Sequence, residues 1–141
     1  MGGPTEVKFV PVIAGGSTTQ GGGAFIAGAG VSFNRPIGDN FQPFLHIVPQ
    51  YNFVLSGGQE TRRAGCAVSA GGFVTSFLHL EAGAIPQYNF SNEKFDLGAR
   101  ASSTALLPIQ GTFGLGFFAQ MPDVTRGDFQ TILGLQLTGL L

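Results

Sequence analysis

Two imidazoles and a carboxylate, His46, His79 and Glu81, are the residues of this chain best suited to chemistry. Two histidines and a glutamate make an adequate zinc set, and the same groups suit general acid–base work. His79 and Glu81 stand two apart, on one face of an extended strand, and His46 has the same parity in its own run. Whether the three converge depends on the width of the fold that holds them. Arg63, Asp96 and Arg100 share their face. Unpaired charges in a narrow interior are costly, so Glu81 and Asp96 are expected to pair with Arg63 and Arg100. The expectation is a packed polar network, with a metal site and catalysis as the alternatives and no catalytic residue or cofactor assigned.

Other chemistries find less support. No G-x-S-x-G elbow occurs, and Ser69 and Ser102 are two inward serines among several. The glycine runs Gly21-Gly22-Gly23 and Gly57-Gly58 are not followed by Lys-Ser/Thr, so they are not phosphate loops. Cys66 is the single cysteine, which excludes an internal disulfide and any CxxC motif. A net charge of -1 without a Lys/Arg cluster gives no footprint for nucleic acid.

The elements that position these residues follow from a two-residue alternation. From Phe77, residues Leu78, Leu80, Ala82, Ala84, Pro86, Tyr88 and Phe90 point one way, and His79, Glu81, Gly83, Gln87 and Asn89 the other. Eight runs show this split, at roughly 5–14, 23–34, 40–54, 62–74, 77–90, 94–107, 111–121 and 128–141. The apolar face collects Val7, Phe9, Ile13, Phe25, Phe33, Phe41, Leu45, Tyr51, Phe53, Cys66, Val74, Leu97, Leu107, Leu115, Phe117, Leu135 and Leu141, uninterrupted by charge. The other face takes the charges, the glutamines and most mid-strand glycines, among them Gly28, Gly30, Gly71, Gly116 and Gly134. Glycine weakens a strand by roughly 0.5–1 kcal/mol relative to alanine, so so many on one face need a reason. The interior of a closed eight-stranded barrel is barely wide enough for side chains and supplies that reason. The polar, glycine-rich face is therefore read as the inside and the apolar face as the outside.

Length and composition agree. At 141 residues the chain is one domain spanning 1–141, and charged residues are 11%, too few to protect the sheet of a water-soluble β-protein. No amphipathic helix and no run of 18 apolar residues is present, which excludes a membrane-spanning helix. Met1-Gly2-Gly3-Pro4-Thr5 lacks the pattern of a secretory signal, so an exported chain of this sequence would be a mature form. The connections after runs one, three, five and seven read as longer and more hydrophilic than those after runs two, four and six. The former carry Gln59, Glu60, Arg62, Asn92, Glu93, Lys94, Asp123 and Arg126 as candidate recognition groups. Phe44-Leu45-His46 recurs as Phe77-Leu78-His79, and Pro49-Gln50-Tyr51-Asn52-Phe53 as Pro86-Gln87-Tyr88-Asn89-Phe90. Prolines 11, 43, 49, 86 and 108 within or beside runs stand against a closed barrel, which has no free edge to excuse a missing donor.

Alternation, loop asymmetry and Gly-Phe-rich strands such as Gly22-Gly23-Ala24-Phe25-Ile26-Ala27-Gly28-Ala29-Gly30-Val31-Ser32-Phe33 resemble the small eight-stranded outer-membrane barrels of the OmpA/OmpX type. The resemblance covers nearly the whole chain, but the terminal Gln136-Leu137-Thr138-Gly139-Leu140-Leu141 lacks the closing aromatic of those families. It implies an all-β, closed, eight-stranded antiparallel up-and-down transmembrane barrel in a bacterial outer membrane. Such a barrel is non-enzymatic, meets membrane lipid on its wall, and acts structurally or through its longer loops, where an extracellular partner is one option. Two rival readings are a soluble barrel that binds a small apolar ligand or assembles through its apolar face, and a membrane-embedded lipid-modifying enzyme.

Overall fold

A computed structural model describes residues 6–19, 21–34, 42–56, 58–73, 78–106, 113–121, 123–124 and 131–139. Eight strands follow in order: β1 (Glu6–Thr18), β2 (Gly22–Asn34), β3 (Gln42–Ser56), β4 (Gln59–Phe73), β5 (Leu78–Asn89), β6 (Lys94–Leu106), β7 (Phe113–Met121) and β8 (Ile132–Gly139). Each pairs antiparallel with its sequence neighbours, and β8 returns to β1, closing the barrel. The expected fold class is the one observed. Phe41, Val74, Phe77, Leu107, Pro108, Arg126 and Leu141 lie outside the described residues.

Register sets the barrel's shape. Starting at Lys8, the paired residues run Ser32, His46, Ser69, Gly83, Arg100, Gln120 and Ile132, and the circuit returns to β1 at Thr18, ten residues further along. Ten residues of about 3.3 Å against eight inter-strand spacings of about 4.8 Å tilt the strands by roughly 40°, within the range of closed barrels. Every residue of that circuit shares the inward face.

Strong coiling explains the inward glycines. A Cβ on Gly30 would lie 2.1 Å from the Ile47 carbonyl oxygen, on Gly71 2.0 Å from that of Leu80, and on Gly116 2.1 Å from that of Ser103. At these points the neighbouring strand's backbone crosses where a side chain would start. Gly15, on the outer face, would meet nothing closer than 3.6 Å.

The prolines are accommodated by local gaps in the ladders. β2 and β3 pair through Gly28↔Gln50 and resume at Val31↔Ile47, leaving a break opposite Pro49. β4 and β5 pair through Gly65↔Gln87 and resume at Val68↔Ala84, leaving the same break opposite Pro86. The repeated proline thus opens one ladder per copy without opening the barrel. Pro11 stands one residue before the β8 ladder begins at Val12.

The connections depart from expectation. After β1, β3 and β5 only residues 19–21, 57–58 and 90–93 separate the strands, while residues 35–41, 74–77 and 107–112, after β2, β4 and β6, lie outside the described residues. Between β7 and β8 the described residues are Asp123, Val124 and Thr131. The cause of the short turns is local: Gly58 adopts φ +79 and Glu93 φ 58, left-handed conformations that reverse the chain in a tight hairpin. The polar segment Gln59-Glu60-Thr61, read as loop, is paired strand opposite Val54-Leu55-Ser56. Likewise Gly15–Thr18 continue β1, held between β2 and β8.

Gly116→Ala should cost about 1–3 kcal/mol by overpacking, whereas Gly15→Ala should be neutral or stabilise by up to about 1 kcal/mol. Urea midpoints of the two variants check this contrast, and equal midpoints would contradict the coiling argument.

Candidate functional site

Four neighbouring strands, β3 to β6, bring the candidate residues into the lumen. Within β3, β4 and β5 an inward apolar residue stands between polar ones. In β3 the inward order runs His46, Val48, Gln50, Asn52; in β4 Ser69, Ala67, then Gly65 and Arg63; in β5 His79, Glu81, then Gly83, Ile85, Gln87 and Asn89. Two polar clusters result, one toward the end that carries the N-terminus of β1 and the other toward the opposite rim.

The cluster nearer the termini centres on Glu81, whose side chain is 8% exposed. Its Oε2 lies 3.0 Å from His46 Nδ1 and accepts from Ser69 Oγ at 2.7 Å, and its Oε1 accepts from Ser102 Oγ at 3.1 Å. The His46 ring stacks on Phe44 at 4.0 Å and lies 6.4 Å, edge-on, from His79. Arg100 does not reach Glu81 as a direct ion pair, contrary to expectation. It stands opposite Gly83, packs over the Phe118 ring at 5.7 Å and donates to Gln136 Oε1. Gln136 Nε2 in turn donates to Thr104 Oγ1 at 3.0 Å.

The far cluster is built on Asp96. Arg63 Nε donates to its Oδ2 at 2.9 Å, with both side chains 6% exposed, and Asn89 Nδ2 reaches the same oxygen at 3.4 Å. Gln50 Nε2 donates to Asn52 Oδ1 at 2.9 Å, and Asn52 Nδ2 to Gln87 Oε1 at 3.1 Å. The two copies of Pro-Gln-Tyr-Asn-Phe therefore build this cluster together, with Gln50 and Asn52 from one and Gln87 and Asn89 from the other.

Between the clusters lies an apolar band that the strand-by-strand reading did not assign to the interior. Val10, Val12, Val48, Ala67 and Ile85 form this buried group, and Ala14, Ile26, Val54, Phe118 and Ile132 form a second, beside the far cluster, where Ile26 pairs with Asn52. Parity alone locates them, since each has the parity of the inward polar residues on its strand.

This arrangement fits packing rather than reaction. Both serines bind the carboxylate directly, and among the described residues no hydroxyl is hydrogen-bonded to His46 Nε2. Among the described residues no group of three His, Cys, Asp or Glu is placed to hold a metal ion. The rim candidates lie apart from the lumen. Gln59, Glu60 and Arg62 start β4, where Arg62 pairs with Glu60 and sits 5.7 Å over the Phe53 ring. Asn92 and Glu93 are in the turn after β5, Lys94 starts β6, and Asp123 lies in the connection after β7.

No family model and no curated protein sequence matches the chain. Among solved structures it is similar to a protein described as "De novo design of transmembrane beta-barrels", at 15% identity and a TM-score of 0.51 over 93% of this chain and 94% of that one. The likeness is one of fold: a closed eight-stranded barrel.

Removing one partner of a buried ion pair strands the other, so Arg63→Ala should destabilise the barrel by about 3–5 kcal/mol. Replacing both, as Arg63→Met with Asp96→Leu, should recover most of that loss. A double-mutant cycle from urea unfolding measures both, and a double variant no better than Arg63→Ala would refute pairing as the cause.

Proposed function

We propose that this chain is a non-enzymatic membrane-spanning barrel of a bacterial outer membrane, with lipid on its wall and polar contacts confined to its rims. The observation that carries the reading is the outer wall. Phe117 is 73% exposed, Phe9, Ile13, Leu115, Leu133 and Leu135 are about half exposed, and Glu60 and Arg62 are the only charged residues of the described strands on the outward face. A soluble monomer rarely exposes so continuous an apolar surface.

Dimensions support it. At a tilt of roughly 40° each residue climbs about 2.5 Å, so about ten residues cross an apolar belt of about 25 Å. Phe9, Phe33 and Phe113 ring the end near the termini. Tyr88 packs against Phe90 and Phe95 near the other end, with Tyr51 and Phe53 on β3, across β4. Amphipathic and aromatic rings at these two levels suit the membrane interfaces. Arg62, stacked on Phe53 and paired with Glu60, stands at headgroup height.

Two rival readings receive less support. A soluble barrel that stores an apolar ligand needs an open lumen, and here the lumen is filled by the two polar clusters and the apolar band. A lipid-modifying enzyme needs a nucleophile beside a base. Recognition by the molecule is assigned to the rim, at Glu60, Arg62, Asn92, Glu93 and Asp123.

Leu115→Arg or Leu135→Arg should cost about 2–4 kcal/mol when the barrel is folded into lipid vesicles, and the parent should need detergent for extraction. The same protein in a planar bilayer should pass no steady single-channel current, because eight strands leave no continuous water path. Extraction without detergent, or arginine variants as stable as the parent, would overturn the membrane reading.

A further inference from the structure

A small cavity of about 10 Å³ lies in the lumen where the His46–Glu81 cluster meets the apolar band, lined in part by Val12, Val48, His46, Glu81, Arg100 and Thr138. That volume is at the threshold for holding one water molecule. Three polar atoms on its lining residues have no partner among the described residues: His46 Nε2, Arg100 Nε and Thr138 Oγ1. The residues that carry them are 2%, 8% and 4% exposed. Buried polar atoms of this kind are paired in folded proteins, by protein or by ordered water.

The chemistry of the three atoms selects the occupant. His46 Nδ1 lies 3.0 Å from a carboxylate oxygen that also accepts from Ser69. A carboxylate only accepts, so Nδ1 carries a proton, and in the singly protonated tautomer this leaves Nε2 as an acceptor. Arg100 Nε is a donor only, and the Thr138 hydroxyl is either. The occupant must therefore donate to one wall and accept from another. A halide only accepts and would face the His46 lone pair beside the Glu81 carboxylate. A metal cation would face the Arg100 guanidinium.

We infer that one water molecule is a fixed component of this lumen. It donates to His46 Nε2, accepts from Arg100 Nε–H and completes its bonds with Thr138 Oγ1. It thereby joins two chains that the protein leaves separate, Ser69–Glu81–His46 on one side and Arg100–Gln136–Thr104 on the other. The inference does not depend on whether the barrel spans a membrane.

The test is a high-resolution crystal structure of the purified chain, together with water–methyl NOEs at Val12 and Val48 in solution. The expected result is one ordered water within hydrogen-bond distance of all three atoms, and NOEs from it to both methyl pairs. Val12→Ile adds a methyl group close to the roughly 30 Å³ share of one water, and should abolish both signals in a barrel that still folds. Should that variant fail to fold, the isosteric Thr138→Val should shorten the water's residence about fivefold, the loss of about one hydrogen bond. Empty density with no NOE in the parent, anomalous signal for a halide or metal, or signals unchanged in a folded variant would each overturn the inference.

Discussion

Closure of eight tilted strands into one ring is the constraint on which the remainder of this molecule depends. A shear of ten residues fixes the radius, and the radius leaves space inside for one layer of side chains from each wall. Long polar groups must therefore meet across the lumen or be absent. Glutamine, asparagine, histidine, arginine and the two carboxylates meet; glycine fills the places where a neighbouring backbone already occupies the space. The outward face carries no such constraint and is apolar apart from Glu60, Arg62, Ser17 and Ser103, with large rings toward both ends.

Two polar clusters separated by valine, isoleucine and phenylalanine divide the lumen into compartments. Each contains one arginine and one carboxylate. Asp96 and Arg63 satisfy each other directly. Glu81 is satisfied by two serines and an imidazole, while Arg100 turns to Gln136 and an aromatic face. A carboxylate with three hydrogen-bond partners does not need the guanidinium, which is why strand adjacency did not produce an ion pair there. The internal repeat has its meaning in these clusters: equal segments on β3 and β5 flank β4 and present matching groups to a shared interior.

Much of this was legible in the sequence. Period-two alternation located all eight strands and their inward faces, and the side of each candidate residue followed from parity. Pairing partners were less legible, because register decides which inward residues are level with one another and register is not written in any single strand. The hairpins misled for a plain reason. Ser-Gly-Gly-Gln-Glu-Thr has a loop's composition, yet one left-handed glycine is enough to turn the chain, and the polar residues after it are then held by a full ladder. Valine and isoleucine inside the barrel carry no polar signal of their own, and only a parity shared with inward polar residues marks them.

The seam between β1 and β8 differs in kind from the other seven. Those join strands next to each other in the chain, so each can form as a hairpin soon after its turn is made. The seam joins Val12 to Thr138 and Thr18 to Ile132, across almost the entire sequence. Until it forms, the sheet is open and its polar face has no counterpart, for Arg63, Asp96, Glu81 and His46 find their partners only on a curved wall. In a hydrocarbon solvent that open sheet would also present two rows of unpaired amides. Local pairing and ring closure are consequently separate tasks for this chain: the first is fast and additive, the second is a single event that must bring curvature, lumen and seam into place at once.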